Sequence, residues 1–141
     1  MSRLCDNHLR IKMSYVKNFK ELEVYKVARE LSKEIYQLSI TFPKEERYSL
    51  TDQIRRSSRS IVAQVAEAWA KRRYEKHFIS KLTDSDGEQH ETQHWIETAL
   101  DCKYLSQEHG IFLLQKCYSI GRMLNVMIEK ASSFCGQNIT P

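Results

Sequence analysis

Apolar side chains return at every third or fourth position along most of this chain, the spacing of helices that bury one face. Val24, Ala28, Leu31, Ile35, Leu38 and Phe42 form one such stripe and predict a first helix from about Phe19 to Thr41. Asn18 is its expected N-cap, the side-chain oxygen taking an otherwise orphan backbone N–H. Pro43 stops it, and residues 44–48 form the link. A second helix is expected from about Leu50 to Lys71, opened by a capping box of Ser49 and Asp52. Its inward line is Leu50, Ile54, Ser57 or Ser58, Ile61, Val65, Ala68 and Trp69. The serines and alanines thin that face, so a neighbouring helix can approach closely.

A third helix is predicted from about Glu75 to Leu105, with Phe78, Leu82, Ser85, Gln89, Thr92, Ile96 and Ala99 facing inward. Its ends are apolar, and its middle, from Asp84 to His94, is polar. A buried polar group must be hydrogen-bonded, so this middle either pairs with polar partners or faces water. With no Pro present and both ends in phase, the helix is expected to run through Gly87. The fourth helix, from about Ser106 to Ser133, has a core line of Leu113, Cys117, Ile120, Leu124, Met127 and Ala131, widened by Leu114, Gly121 and Ile128. Phe112, Met123 and Val126 carry apolar surface beyond what one place in a bundle needs, and are expected at a subunit interface.

Four amphipathic helices joined by short links predict an all-α fold, an up-down-up-down antiparallel four-helix bundle over residues 18–134. Residues 1–17 are expected to be a poorly ordered tail, with Met13 a second candidate start, and residues 135–141 a C-terminal tail. Composition agrees: 4 Gly and 2 Pro are too few for a protein of sheets and tight turns. A chain that is 41% hydrophobic and 28% charged is globular rather than disordered. No apolar run reaches the length of a signal peptide or a membrane span, which makes a cytoplasmic location with reduced thiols the expectation. The four cysteines lack metal-finger or redox spacing, and Cys102 and Cys117, among apolar neighbours, are expected in the core.

Charge adds a direction. The net charge is only +4, but it is segregated. Eight Lys or Arg and two acids lie between Arg55 and Lys81, whereas Leu82 to Cys102 holds six acids and no Lys or Arg. Arg55, Arg56, Arg59, Lys71, Arg72, Arg73 and Lys76 are therefore candidate phosphate contacts, since the guanidinium fork matches phosphate oxygens. The competing reading has them in salt bridges, with Arg55 or Arg56 against Glu67, Asp86 or Glu91. Trp69, Tyr74 and Phe78 could stack on bases, although Trp69 reads as core. Asp86, His90 and His94 share a helical face with Glu91 alongside. Metal sites in bundles draw ligands from several helices, so a solvated face or lumen lining is expected there and no metal. There is no Gly-rich phosphate loop, nucleophile elbow or His-Glu-x-x-His. The expectation is a non-enzymatic protein without cofactor.

Several segments carry a family pattern. Phe19-Lys-Glu-Leu-Glu-Val-Tyr-Lys-Val-Ala28 opens the first helix and Phe42-Pro-Lys-Glu-Glu-Arg47 closes it. Leu50-Thr-Asp-Gln-Ile-Arg-Arg56 leads to Ser60-Ile61 and Val65-Ala66-Glu67. Phe78-Ile79, Leu82, Glu91-Thr92-Gln93, Trp95, Tyr104-Leu105-Ser106 and Ile120-Gly-Arg-Met-Leu-Asn125 follow in order. Over roughly residues 19–132 the chain resembles the four-helix bundle family encoded by intervening sequences in bacterial 23S ribosomal RNA genes. That family is related to the accessory variability determinant of diversity-generating retroelements. The chain departs from it at Ile61-Val62, where many members have Ile-Pro, and at Glu67-Ala68, where many have Glu-Gly. The resemblance implies a barrel-shaped homopentamer and, through the retroelement relatives, RNA or DNA and a reverse transcriptase as candidate partners of a basic surface; the lack of an apolar run of spanning length makes no membrane partner the expectation. A protein-interaction scaffold whose charges only hold the oligomer together is the alternative.

Overall fold

A computed structural model of the protein describes residues 16–136. The N-terminal tail expected over residues 1–17 therefore lies outside the described residues except for Val16 and Lys17, as does the C-terminal tail beyond Gly136. The described residues are all helix and connection, with no strand among them. Four long helices, α1 (Glu23–Ser39), α2 (Leu50–Ala70), α3 (Glu75–Asp101) and α4 (Gln107–Glu129), are followed by one short turn of helix, α5 (Ala131–Phe134). α1 packs on α2, α2 on α3, α3 on α4, and α1 on α4.

The inward lines explain the packing. Ile54, Ile61, Val65, Phe78, Leu82, Ile96, Leu113, Ile120 and Leu124 are all buried between the helices, together with Leu31 and Ile35 of α1. α3 runs unbroken through Gly87, and the seven positions expected to face inward are its seven buried residues. Its polar middle meets polar partners. Thr92 Oγ1 donates to Ser57 Oγ (2.9 Å), and Ser85 Oγ donates to the Ile61 carbonyl (2.9 Å). Gln89 Nε2 donates to Asp86 Oδ1 (2.9 Å), while Gln89 Oε1 accepts from Gln93 Nε2 (2.6 Å). Across from Gln89 stands Gly121 of α4, where a Cβ would come within 2.9 Å of the Gln89 amide nitrogen. A side chain at position 121 would displace that amide.

Element ends differ from the sequence expectation where a local backbone feature wins. Asn18 caps a single 3₁₀ turn, Phe19–Glu21, by accepting from Lys20 N at 3.0 Å. Leu22 then turns extended (φ −64°, ψ 131°), and α1 begins only at Glu23. On a continued helix Phe19 and Leu22 would lie roughly 140–160° round from Val24, on the solvent side. The break buries Leu22 and sets Phe19 edge-on to Tyr25 at 5.2 Å. Ser49 does not close a capping box. Its hydroxyl turns back to Glu46 Oε1 at 3.1 Å and makes no capping bond to the first turn of α2.

α3 stops at Asp101 rather than Leu105 because Lys103 takes up a left-handed conformation (φ 61°). Tyr104 N bonds to the Ala99 carbonyl (2.9 Å) and Lys103 N to the Leu100 carbonyl (3.0 Å), the paired bonds of a Schellman ending. The early stop leaves Cys102 exposed, against the expectation of a core residue. Cys117 is buried as expected, and burial pushes its thiol up to about 12. Ser106 caps α4 by accepting from His109 N at 3.1 Å. α4 ends at Glu129, and α5 swings Phe134 to within 5.8 Å of Phe78 and 6.4 Å of Trp69. Cys135, assigned to the tail by sequence, is buried there.

Candidate nucleic-acid interface

The seven candidate cations do not form one patch. One flank of α2 faces α1 and carries Arg55 and Arg59, one turn apart. Both guanidinium groups lie over the Tyr36 ring of α1, at 4.8 and 5.7 Å from its centroid. Arg55 Nε also donates to Ser39 Oγ at 2.8 Å. Arg56 lies on the opposite flank, towards α3, where its charge acts on Glu88. Lys71, Arg72, Arg73 and Lys76 gather at the α2–α3 turn, roughly 18 Å along the helix from Arg59. Of that end group, Arg72 is already engaged. Its guanidinium sits 3.5 Å from the centroid of Trp69, Nε donates to the Trp69 carbonyl (2.8 Å), and burial holds it below its ordinary value. Lys71, Arg73 and Lys76 are exposed.

The expected salt bridges of Arg55 and Arg56 with Glu67, Asp86 or Glu91 are not formed among the described residues. Lys81 takes Glu67 instead, at 3.0 Å, with Asp84 at 3.8 Å. That hydrogen bond and charge hold Glu67 below its ordinary value and Lys81 above its own. Asp86 faces His90, whose Nδ1 lies 2.8 Å from the Asp86 carbonyl and 3.7 Å from its carboxylate. His94 leans on Trp95, ring centroids 4.7 Å apart. Among the described residues no three His, Cys, Asp or Glu come together as metal ligands would.

Each flank of α2 borders a groove, and the two carry opposite charge. The groove against α1 has a volume of about 400 Å³ and is lined by Arg29, Lys33 and Arg59, with Phe19, Tyr25, Val62, Ala63 and Ala66 among its walls. Among the described residues no carboxylate lines it. Arg29 is steered by its own helix, one terminal nitrogen donating to Tyr25 Oη at 2.9 Å. The groove against α3, about 280 Å³, is lined by Asp84, Glu88 and Glu91 with Gln64, Thr83 and Gly87. Burial, then the neighbouring Glu91, raises Glu88 above its ordinary value, against the Ser60 hydroxyl and the Arg56 charge.

Arg29 and Lys33 were missed by the sequence reading, which looked for cations where they were dense. The signal was present in the first helix. Glu23, Glu30 and Glu34 occupy one flank of α1, and Arg29 and Lys33, at i and i+4, share the other with Tyr25 and Tyr36. Glu30 is drawn to α4, where Lys116 Nζ holds it at 3.2 Å. On the far side of the bundle, Phe112 and Val126 are exposed on α4 beside Ile111 and Tyr118, while Met123 is half-buried against the core. No helix among the described residues is long and apolar enough to cross a membrane.

A comparison with curated proteins finds no match. Among solved structures the chain is similar to the crystal structure of a protein with unknown function, from the S23 ribosomal protein family, of Bacteroides thetaiotaomicron. The two share 26% identity and superpose with a TM-score of 0.68, over 75% of this chain and 95% of that one. Residues 20–126 match the model of a family described as 23S rRNA-intervening sequence protein. The helical bundle and the matched span agree: this chain belongs to the family of 23S rRNA-intervening sequence proteins.

Proposed function

We propose that this chain is a non-enzymatic accessory protein that binds structured nucleic acid, RNA or DNA, or a complex of RNA with a reverse transcriptase, through its basic surface. In this reading the four helices run up-down-up-down and the exposed apolar face of α4 is buried between copies in a homopentamer. The observation that carries it is that, among the described residues, no carboxylate forms a salt bridge with Arg55, Arg56 or Arg59, although Lys81 finds Glu67 nearby. Tyr36 and Ser39 hold Arg55 and Arg59 in place without neutralising them, so their charge stays available to an anion outside the chain. Repetition about an axis would turn a modest patch into a ring, and avidity would raise affinity without new contacts.

The test is RNA and DNA binding by the purified protein across a salt series, with the mass of the assembly recorded in the same buffer. Binding should weaken steeply with salt, because each phosphate contact releases counterions. An assembly that ignores both nucleic acids at low salt would sink the reading.

One observation favours a second reading, a protein-interaction scaffold. The basic groove and the acidic groove flank the same helix, so one copy can offer either to the next. In that case salt would dissolve the oligomer, and nucleic acid would not bind at any concentration of salt.

A further inference from the structure

We propose that the groove between α1 and α2 holds a single-stranded segment of nucleic acid, its phosphates on Arg29, Lys33 and Arg59 and an unpaired base on the floor of Phe19, Val62 and Ala66. The proposal rests on the nucleic-acid reading above and names the site and the form of strand it takes.

Three features carry it. The first is charge: among the described residues Arg29, Lys33 and Arg59 border the groove and no acid does, which suits an anionic occupant. The second is an apolar floor. Arg59, Val62, Ala63 and Ala66 face the groove from α2, and the short side chains of the two alanines leave room beside the half-buried ring of Phe19. A free phosphate would use the cations and leave that apolar floor bare; a base covers it, as bases do on stacking platforms. The third is continuity. Arg59 lines the groove and also lies over Tyr36, where Arg55 joins it, so the cationic track continues along α2 past the groove's end. A track of several cations fits a chain of phosphates better than one nucleotide.

The same geometry selects against a duplex. Paired bases are stacked inside and present only phosphates and groove edges, so nothing in a duplex reaches a floor lying between two helices. An acidic segment of a second copy is the occupant that the experiment must separate from a strand.

The experiment is fluorescence anisotropy with a labelled mixed-sequence single strand and the same sequence as a duplex, at several salt concentrations. It compares the full-length protein with Arg29→Ala/Lys33→Ala and with Ala63→Phe. All three positions are exposed, and circular dichroism checks that each variant is folded. The wild type should prefer the single strand. The double variant should lower the salt slope by about 1.4, two phosphate contacts at roughly 0.7 each. Ala63→Phe fills the groove without touching charge and should weaken single-strand binding by roughly tenfold. If it fails to fold, the double variant still decides.

Wild-type binding that neither variant alters would overturn the groove and leave the nucleic-acid reading on the other cations. No binding by the wild type would overturn both. Variants that bind normally but change the assembly's mass would make the groove a contact between copies, and the proposal would fall.

Discussion

The two sides of α2 are built from similar small residues and do opposite things. Towards α3, Ser57, Ser85 and Thr92 are fully buried and hydrogen-bonded, and Lys81 answers Glu67 above them. Towards α1, Ala63 and Ala66 line open space, and Arg55 and Arg59 rest on a tyrosine ring rather than a carboxylate. Small side chains close a seam when the facing helix offers matching polar groups and leave a groove when it does not. Lys81 is answered by a carboxylate within the fold, whereas Arg55 and Arg59, held by a ring and a hydroxyl, keep a charge that no carboxylate among the described residues answers.

The comparison breaks first at Ser85. Ser85→Leu would push a branched side chain into the closed seam against the Ile61 carbonyl, and should cost about 1–3 kcal/mol in chemical denaturation. A loss within about 0.5 kcal/mol would mean that the seam is as slack as the open flank. Thr92→Val is the finer cut. It keeps the shape, removes the donor to Ser57, and should cost about 1 kcal/mol.

The smallest effect is at Glu67, on the rim of the same seam. Its carboxyl is held below the ordinary 4.5, so the stability it contributes is fully present above pH 4.5 and fades as pH falls through the lower folded value. Lys81 is raised above 10.5, so its share is full below that pH and is lost as pH rises through the higher folded value. Glu67→Gln should therefore lower the melting temperature slightly at neutral pH and match the wild type well below pH 4.5. An unchanged difference at low pH would show that the pair is not what holds the rim.

The helices were legible in the sequence because their buried lines obey one period. α3 is the clearest case, for even its polar inward residues, Ser85, Gln89 and Thr92, were placed by spacing alone. The ends were harder to read, since they depend on single backbone torsions. A lysine in the left-handed region ends α3 where sequence rules look for glycine, and Asn18 caps a turn that a helix does not continue. A cap signal names a donor that needs an acceptor and is silent about how much helix follows. The cations were half legible. Density along the chain found Arg55 and Arg59 but not Arg29 and Lys33, which join them only because α1 lies against α2. A groove between helices belongs to neither sequence segment.

Gly121 and Gln89 have a consequence for how such a chain can change over generations. The amide of Gln89 occupies the space that a side chain at 121 would need. Each residue thus sets which substitutions its counterpart tolerates, and their effects should not add. A lineage that gains a larger residue at 121 must move the Gln89 amide or shorten position 89 with it, and Asp86 and Gln93 would then lose the amide that links them. The two positions, 32 apart in the chain, behave as one inherited character.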